Sequence, residues 1–273
     1  MSPEARSGNT SIIDSPVVPE RVYRRLVKTI AISGEDHTGK TAISTALAKV
    51  LGVSVYNGQG EFGRRTGSES GKEDRSLATH KKFDRRQRRY FRKYTPDTAR
   101  IHETRLAGIT LAEVRDERDR IETERRWKAQ RSQIPTPETP EIPAISVLIL
   151  SNKESRVKRA YLESLSKNEG LKKAEIEQKV SSRSYDNFEI WKAIHQNYIS
   201  DEKNPFDPNL KRSNGSPVYD IVIYNNDMEN VPAEAAVEQA VMQLISRLDS
   251  FGAFAHPTPI QLGEPFETAR QTA

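Results

Sequence analysis

Gly34-Glu35-Asp36-His37-Thr38-Gly39-Lys40-Thr41 decides the reading of this chain. It meets the pattern G-x-x-x-x-G-K-[ST] at every fixed position. Glycines at both ends let the backbone wrap a phosphate, so that successive N–H groups and the N-terminus of a following helix face it. Lys40 then reaches the β- and γ-phosphates, and the Thr41 hydroxyl is placed to hold Mg2+. The stretch therefore predicts ATP and Mg2+ as cofactors, with Gly34, His37, Thr38, Gly39, Lys40 and Thr41 as the binding loop. His37 and Thr38 read as loop residues whose backbone matters more than their side chains. Glu35 and Asp36 are unusual so near triphosphate oxygens, and their charge is expected to point outward.

The flanks supply the context such a loop needs. Residues 26–33 read as a strand. Residues 41–51 (TAISTALAKVL) carry Ile43, Ala46, Leu47 and Val50 at helical spacing, so one face is apolar. Further strands are predicted at 53–56, at 144–150 (AISVLIL) and at 219–224 (YDIVIY). The apolar run at 144–150 is of the kind buried on both faces of a parallel sheet. Strands alternating with helices predict an α/β fold with a central parallel sheet and helices on both faces.

The rest of the chain is polar. Residues up to about 25 read as a loose arm and the tail after 251 likewise; 58–72, rich in Gly and Ser, reads as loop. Residues 76–94 read as a helix with Leu77, Phe83, Tyr90, Phe91 and Tyr94 on or near one face and a dense basic surface around the rest. After a short segment at 101–111, residues 112–131 read as an almost wholly charged helix anchored only by Val114, Ile121 and Trp127. Four prolines between 134 and 143 then form a stiff spacer. Residues 156–200 read as polar helix, 201–216 as a Pro/Asn-rich loop, and 231–248 as an amphipathic helix with Pro232 just inside its start.

Composition narrows the function class. The net charge of +5 favours an anionic partner. With no cysteine there is no disulfide framework, thiolate metal site or cysteine nucleophile. Neither a signal sequence nor a run of about 20 apolar residues is present, so a soluble cytoplasmic monomer without membrane contact is expected.

Four further segments carry a resemblance. Tyr56-Asn57-Gly58-Gln59-Gly60-Glu61-Phe62-Gly63-Arg64, Asp84-Arg85-Arg86-Gln87, His102-Glu103-Thr104-Arg105-Leu106-Ala107-Gly108, and the strand at 145–150 followed by Arg156-Val157-Lys158-Arg159 stand in an order that resembles the cytidylate kinases. The likeness is strongest to the short archaeal-type form of that nucleoside monophosphate kinase family, and it covers most of 26–248. It implies a three-layer P-loop kinase fold over 26–250, with an acceptor-binding subdomain at 57–98 and a helical lid at 152–200. The stretch 112–143 is an insertion beside that pattern. Transfer of the ATP γ-phosphoryl to a nucleoside monophosphate, CMP or dCMP first, is the implied activity. Arg64 and Arg105 would grip the acceptor phosphate, Asp84 and Gln87 would sit in the acceptor subdomain, and Arg156, Arg159 and Arg183 are the lid arginines that would close over the transferring group with Lys40. The chain departs from the family at Thr104, which replaces a glycine, and at Ile190-Trp191, which stand where the family's lid helix has a second arginine before an aromatic.

A different class of function competes. Lys81, Lys82, Arg85, Arg86, Arg88, Arg89, Arg92 and Lys93 alternate with Phe83, Tyr90, Phe91 and Tyr94, a pattern that could lie along RNA in a nucleotide-binding protein without kinase turnover. The plain alternative is a solvated helix face beside the acceptor cleft.

Overall fold

The centre of the structure is β1 (Thr29–Ser33), five residues with every side chain buried. A computed structural model describes residues 29–58, 76–93, 100–132, 144–227 and 231–253 of the chain, without the side chains of 183–186. Arg64, the N-terminal arm, most of the tail and the proline-rich spacer lie outside the described residues, as does the side chain of Arg183. β1 pairs in parallel with β3 (Arg100–Glu103) on one side and β4 (Ala144–Leu150) on the other. β2 (Ser54–Asn57) and β5 (Ile221–Tyr224) complete a five-stranded sheet in the order β2-β3-β1-β4-β5. All four ladders are parallel.

Helices cover both faces. α1 (Lys40–Leu51) and α7 (Ala233–Ser250) bury Ile43, Leu47, Leu244 and Leu248 against Ile30, Ile32, Val147 and Ile149 of the sheet. On the opposite face α2 (Leu77–Arg92) and α3 (Ala107–Ser132) set Phe91, Leu111 and Val114 against Ala31 and Ala144. The expected three-layer α/β P-loop architecture is therefore the one observed. Pro232 immediately precedes α7 rather than standing inside it.

Two parts of the middle of the chain differ from the sequence reading. β3 was not expected, because RIHE holds one aliphatic residue among charged and imidazole side chains. Its His102 is fully buried and stacks between Tyr56, Tyr90 and Phe91, at centroid distances of 4.5, 4.8 and 4.9 Å. Burial, with the nearby Arg100 charge, drives its pKa down to about 3, so the ring packs as a neutral aromatic. The helix expected to begin at 112 begins at Ala107, and its first turns bury Ala107, Ile109, Leu111, Ala112 and Val114. Farther along it runs into solvent: Ile121 is 40% and Trp127 53% exposed, so neither anchors it.

α4 (Lys153–Ser166) and α5 (Lys173–Asp186) form a hairpin over Val157, Ala160, Ile176 and Val180. α6 (Phe188–Ile194) and the following loop bury Trp191, Tyr198, Phe206 and Leu210 against α3 and β4. No helix among the described residues is long and apolar enough to cross a membrane.

Candidate functional site

The loop between β1 and α1 needs glycine at Gly39, where φ is +83° and a Cβ would lie 2.4 Å from Asn225 Nδ2. That amide donates to the Thr38 carbonyl at 2.8 Å, clasping the loop to the end of β5. Thr38 Oγ1 donates to the Glu35 carbonyl at 2.9 Å, and His37 takes a φ of +61°. The His37 ring also reaches out of the loop, with Nδ1 3.3 Å from Glu163 Oε2, so the side chains as well as the backbone of these two residues are engaged. The buried Lys40 ammonium donates to the Glu35 carbonyl at 3.1 Å. Desolvation lowers its pKa, Asp36 and Glu103 oppose that shift, and Arg105 and Arg156 add to it.

Thr41 Oγ1 donates to Glu103 Oε1 at 2.8 Å, and Asn57 Nδ2 donates to Glu103 Oε2 at 3.3 Å. Burial raises the Glu103 pKa, while the Thr41 hydrogen bond and the Lys40 charge pull it down. A hydroxyl and a carboxylate in contact at a helix N-terminus are hard oxygen donors of the kind Mg2+ takes, so the residues present fit that ion.

Arginines converge on the loop from two directions. Arg105, two residues before the start of α3, donates from Nε to Asp36 Oδ1 at 2.8 Å and from Nη2 to Asp36 Oδ2. Arg156, in the first turn of α4, donates from Nη1 to Glu35 Oε2 at 2.6 Å and from Nε to the Asp36 carbonyl at 3.1 Å. The two carboxylates expected to point outward are thus turned onto guanidinium groups. The physical reason is that two half-buried arginines beside an acidic loop form charge-assisted hydrogen bonds that solvent would only partly replace.

Arg159 is spoken for by the protein itself. It donates from Nε and Nη2 to Asp227 Oδ1 at 2.9 and 2.6 Å, and from Nη2 to the Asn225 carbonyl at 2.9 Å. Its remaining nitrogen reaches the His37 carbonyl at 3.3 Å. The geometry makes it a brace between α4, the loop and the end of β5.

A pocket opens beside Arg105. Phe83 and Trp191 line it with Asp84, Gln87, Thr104 and His195. Arg105 lies over the Trp191 ring, 5.8 Å from its centroid. Asp84 and Gln87, drawn from sequence as acceptor-side residues, are both buried here, and Thr110 Oγ1 donates to Gln87 Oε1 at 3.2 Å. Among the described residues Gln87 Nε2 and Thr104 Oγ1 have no hydrogen-bond partner. Buried donors of that kind are costly unless something else completes them. Asp84, Glu113 and His195 cluster within 4.8 Å, but Arg88 bridges the two carboxylates at 2.6 and 2.7 Å and offsets one of their two charges.

The basic helix shows a separation that the sequence did not. Phe91 is buried and Phe83 faces the pocket, while Lys81, Lys82, Arg85, Arg86, Arg89, Arg92 and Lys93 are exposed. These seven positions fall within about 140° of one another at 100° per residue. The rings are therefore not interleaved with the cations in space; Tyr94 lies outside the described residues.

Sequence reasoning missed Glu103, whose role depends on strand register: Ile32↔Glu103 pairing sets its carboxylate beside Thr41. It missed Gly58 and Trp191 as pocket walls, since neither carries a signal of its own.

No protein-family model matches the chain, and no curated protein matches it. Among solved structures, the chain is similar to an uncharacterized protein from Eubacterium ventriosum, with 17% identity, a TM-score of 0.47, and coverage of 82% of this chain and 99% of that one. A shikimate kinase from Acinetobacter baumannii solved with shikimate aligns at 16% identity and a TM-score of 0.40, over 81% of this chain and 93% of the other. A deoxyadenosine kinase from M. mycoides aligns at 13% identity and 0.37, over 82% and 99%. Each score lies below 0.5, and the assignment of the fold rests on the strand order and loop geometry.

Proposed function

We propose that the chain is a phosphotransferase that moves the γ-phosphoryl of ATP to a nucleoside monophosphate, with CMP and dCMP as the first candidates. One observation carries the reading. The phosphate loop and an aromatic-walled pocket with an uncompleted buried amide meet at Arg105. Phe83 and Trp191 suit a planar base, and Gln87 Nε2 offers a donor to a carbonyl or ring nitrogen of that base. Arg105 suits the acceptor phosphate at the mouth.

Phosphoryl transfer asks a protein mainly for position and for positive charge around the transferring group. The loop N–H groups and Lys40 orient the donor triphosphate, and Arg156 reaches the same loop from the first turn of α4. Thr41 and Glu103 would hold Mg2+, which when bound neutralises charge on the β- and γ-phosphates. Glu103 also receives the Asn57 amide, so its carboxylate is held in place from β2. Arg64 and Arg183 remain candidates for the acceptor phosphate and the lid. A coupled assay of the purified chain against a panel of nucleoside monophosphates tests this. Turnover of CMP or dCMP above the other acceptors is the expected result, and no turnover of any would sink the reading.

The exposed cationic face of α2 supports a second reading, in which the protein binds RNA through backbone phosphates. With the rings turned inward, base stacking would contribute nothing. RNA binding that weakens steeply with salt and survives Lys40→Ala would favour this reading over the first.

A further inference from the structure

The phosphate loop carries two carboxylates, and both are turned onto arginines. Asp36 takes the Arg105 fork through two oxygens, the geometry in which a guanidinium also grips a phosphate. Glu35 takes Arg156 at 2.6 Å. These are not loose surface pairs: side-chain exposures are 18% and 15% for Arg105 and Asp36, and 10% and 21% for Arg156 and Glu35. Among the described residues, Lys40, Arg105 and Arg156 therefore face Glu35, Asp36 and Glu103, three cations against three carboxylates.

We propose that Asp36 and Glu35 are internal stand-ins for ligand phosphates, and that Asp36 sets the affinity for the acceptor phosphate by occupying the Arg105 fork that the phosphate must take. This rests on the reading of Arg105 as the acceptor-phosphate ligand. A phosphate dianion carries more charge than a carboxylate and offers the same bidentate edge, so it competes for the fork. An acceptor that ends in a neutral hydroxyl gains nothing from Arg105 and leaves the pair closed. The acids thereby weaken phosphate binding and leave the affinity for the unphosphorylated form unchanged.

Trp191 reports on the fork, because the Arg105 guanidinium lies over its ring. The chain has two tryptophans, and Trp127→Phe leaves Trp191 as the sole emitter. In that full-length background, inorganic phosphate is titrated against Trp191 fluorescence at fixed ionic strength. Asp36→Asn keeps the shape and removes the charge, and it should lower the half-saturating phosphate concentration on the order of tenfold. Adding Arg105→Ala should abolish the gain. Should Asp36→Asn not fold, Asp36→Ser must show the same tightening. Phosphate binding that is unchanged or weaker in Asp36→Asn would overturn the proposal, since Asp36 would then be holding Arg105 in place for the ligand. Tightening by Asp36→Asn without turnover of any monophosphate by the wild-type chain would uphold the stand-in role and sink the kinase reading. Turnover with no tightening would do the reverse.

Discussion

Gly58→Ala places a single methyl group at the wall of the pocket. A Cβ there would lie 2.5 Å from Thr104 Cγ2, 2.7 Å from Phe83 Cζ and 3.5 Å from Gln87 Nε2. The first two distances are far inside van der Waals contact, so something must move. Thr104 cannot go far, because its short side chain rides on a backbone whose N–H donates to the Ile32 carbonyl at 3.1 Å. The Phe83 ring tip is the movable partner, and it lines the pocket, where there is room to give. Overpacking of this type costs about 1–3 kcal/mol. Most of it should fall on acceptor binding rather than folding, which converts to roughly 5- to 150-fold in acceptor KM. The donor site is untouched, so the ATP KM should stay within about twofold. Steady-state kinetics with each substrate varied, beside a thermal melt, measures all of this. Adding Phe83→Leu, which removes the Cζ atom, should recover part of the loss. An unchanged acceptor KM in a folded Gly58→Ala protein, or equal damage to the ATP KM, would refute the assignment of the pocket to the acceptor.

Lys40→Ala should abolish transfer while the melt still reports a folded protein; residual turnover within tenfold of wild type would remove the ammonium from the chemistry. Glu103→Gln keeps the Thr41 hydrogen bond but loses a charge, and it should raise the Mg2+ concentration for half-maximal turnover by about tenfold or more, whereas an unaltered titration would exclude Glu103 from the ion's surroundings. His102 has a folded pKa of about 3 against an ordinary 6.5, so the fold is fully supported above pH 6.5 and loses support as pH falls below it. Urea denaturation between pH 7 and 5 should show a slope approaching about 1.4 kcal/mol per pH unit from this group, and His102→Leu should flatten it; an identical slope in the variant would refute the buried neutral ring.

What could be read from sequence was what a local pattern carries. The loop at 34–41 and the strand at 144–150 declare themselves, one by fixed residues and the other by an unbroken apolar run. β3 stayed hidden because its buried side chains are polar by type: His102 is made apolar only by rings that arrive from β2 and α2, and Glu103 finds its place through parallel register with β1. The start of α3 was set too late for a related reason. Ala107-Gly108 looks like a turn in isolation, yet Gly108 N donates to Ser33 Oγ at 2.7 Å beneath the sheet. Arg105, Asp84 and Gln87 could be placed near one another only through their resemblance to a known order of motifs. That Asp36 and Glu35 face inward was beyond any sequence rule, since the arginines that turn them come from positions 69 and 121 residues away.

The first turn of α4 is stapled to the end of β5. Asn152 N donates to Asn226 Oδ1 at 2.7 Å, Asp227 N donates to Ser155 Oγ at 2.8 Å, and Arg159 ties the same turn to Asn225 and Asp227. The helix is thereby held at its root to the edge strand of the sheet. At its far end Asn168 and Gly170 take left-handed φ values of 54° and 64° in the turn before α5. α4 is thus a post joined to the sheet at its root, and α5 is carried from it across a turn with two left-handed residues.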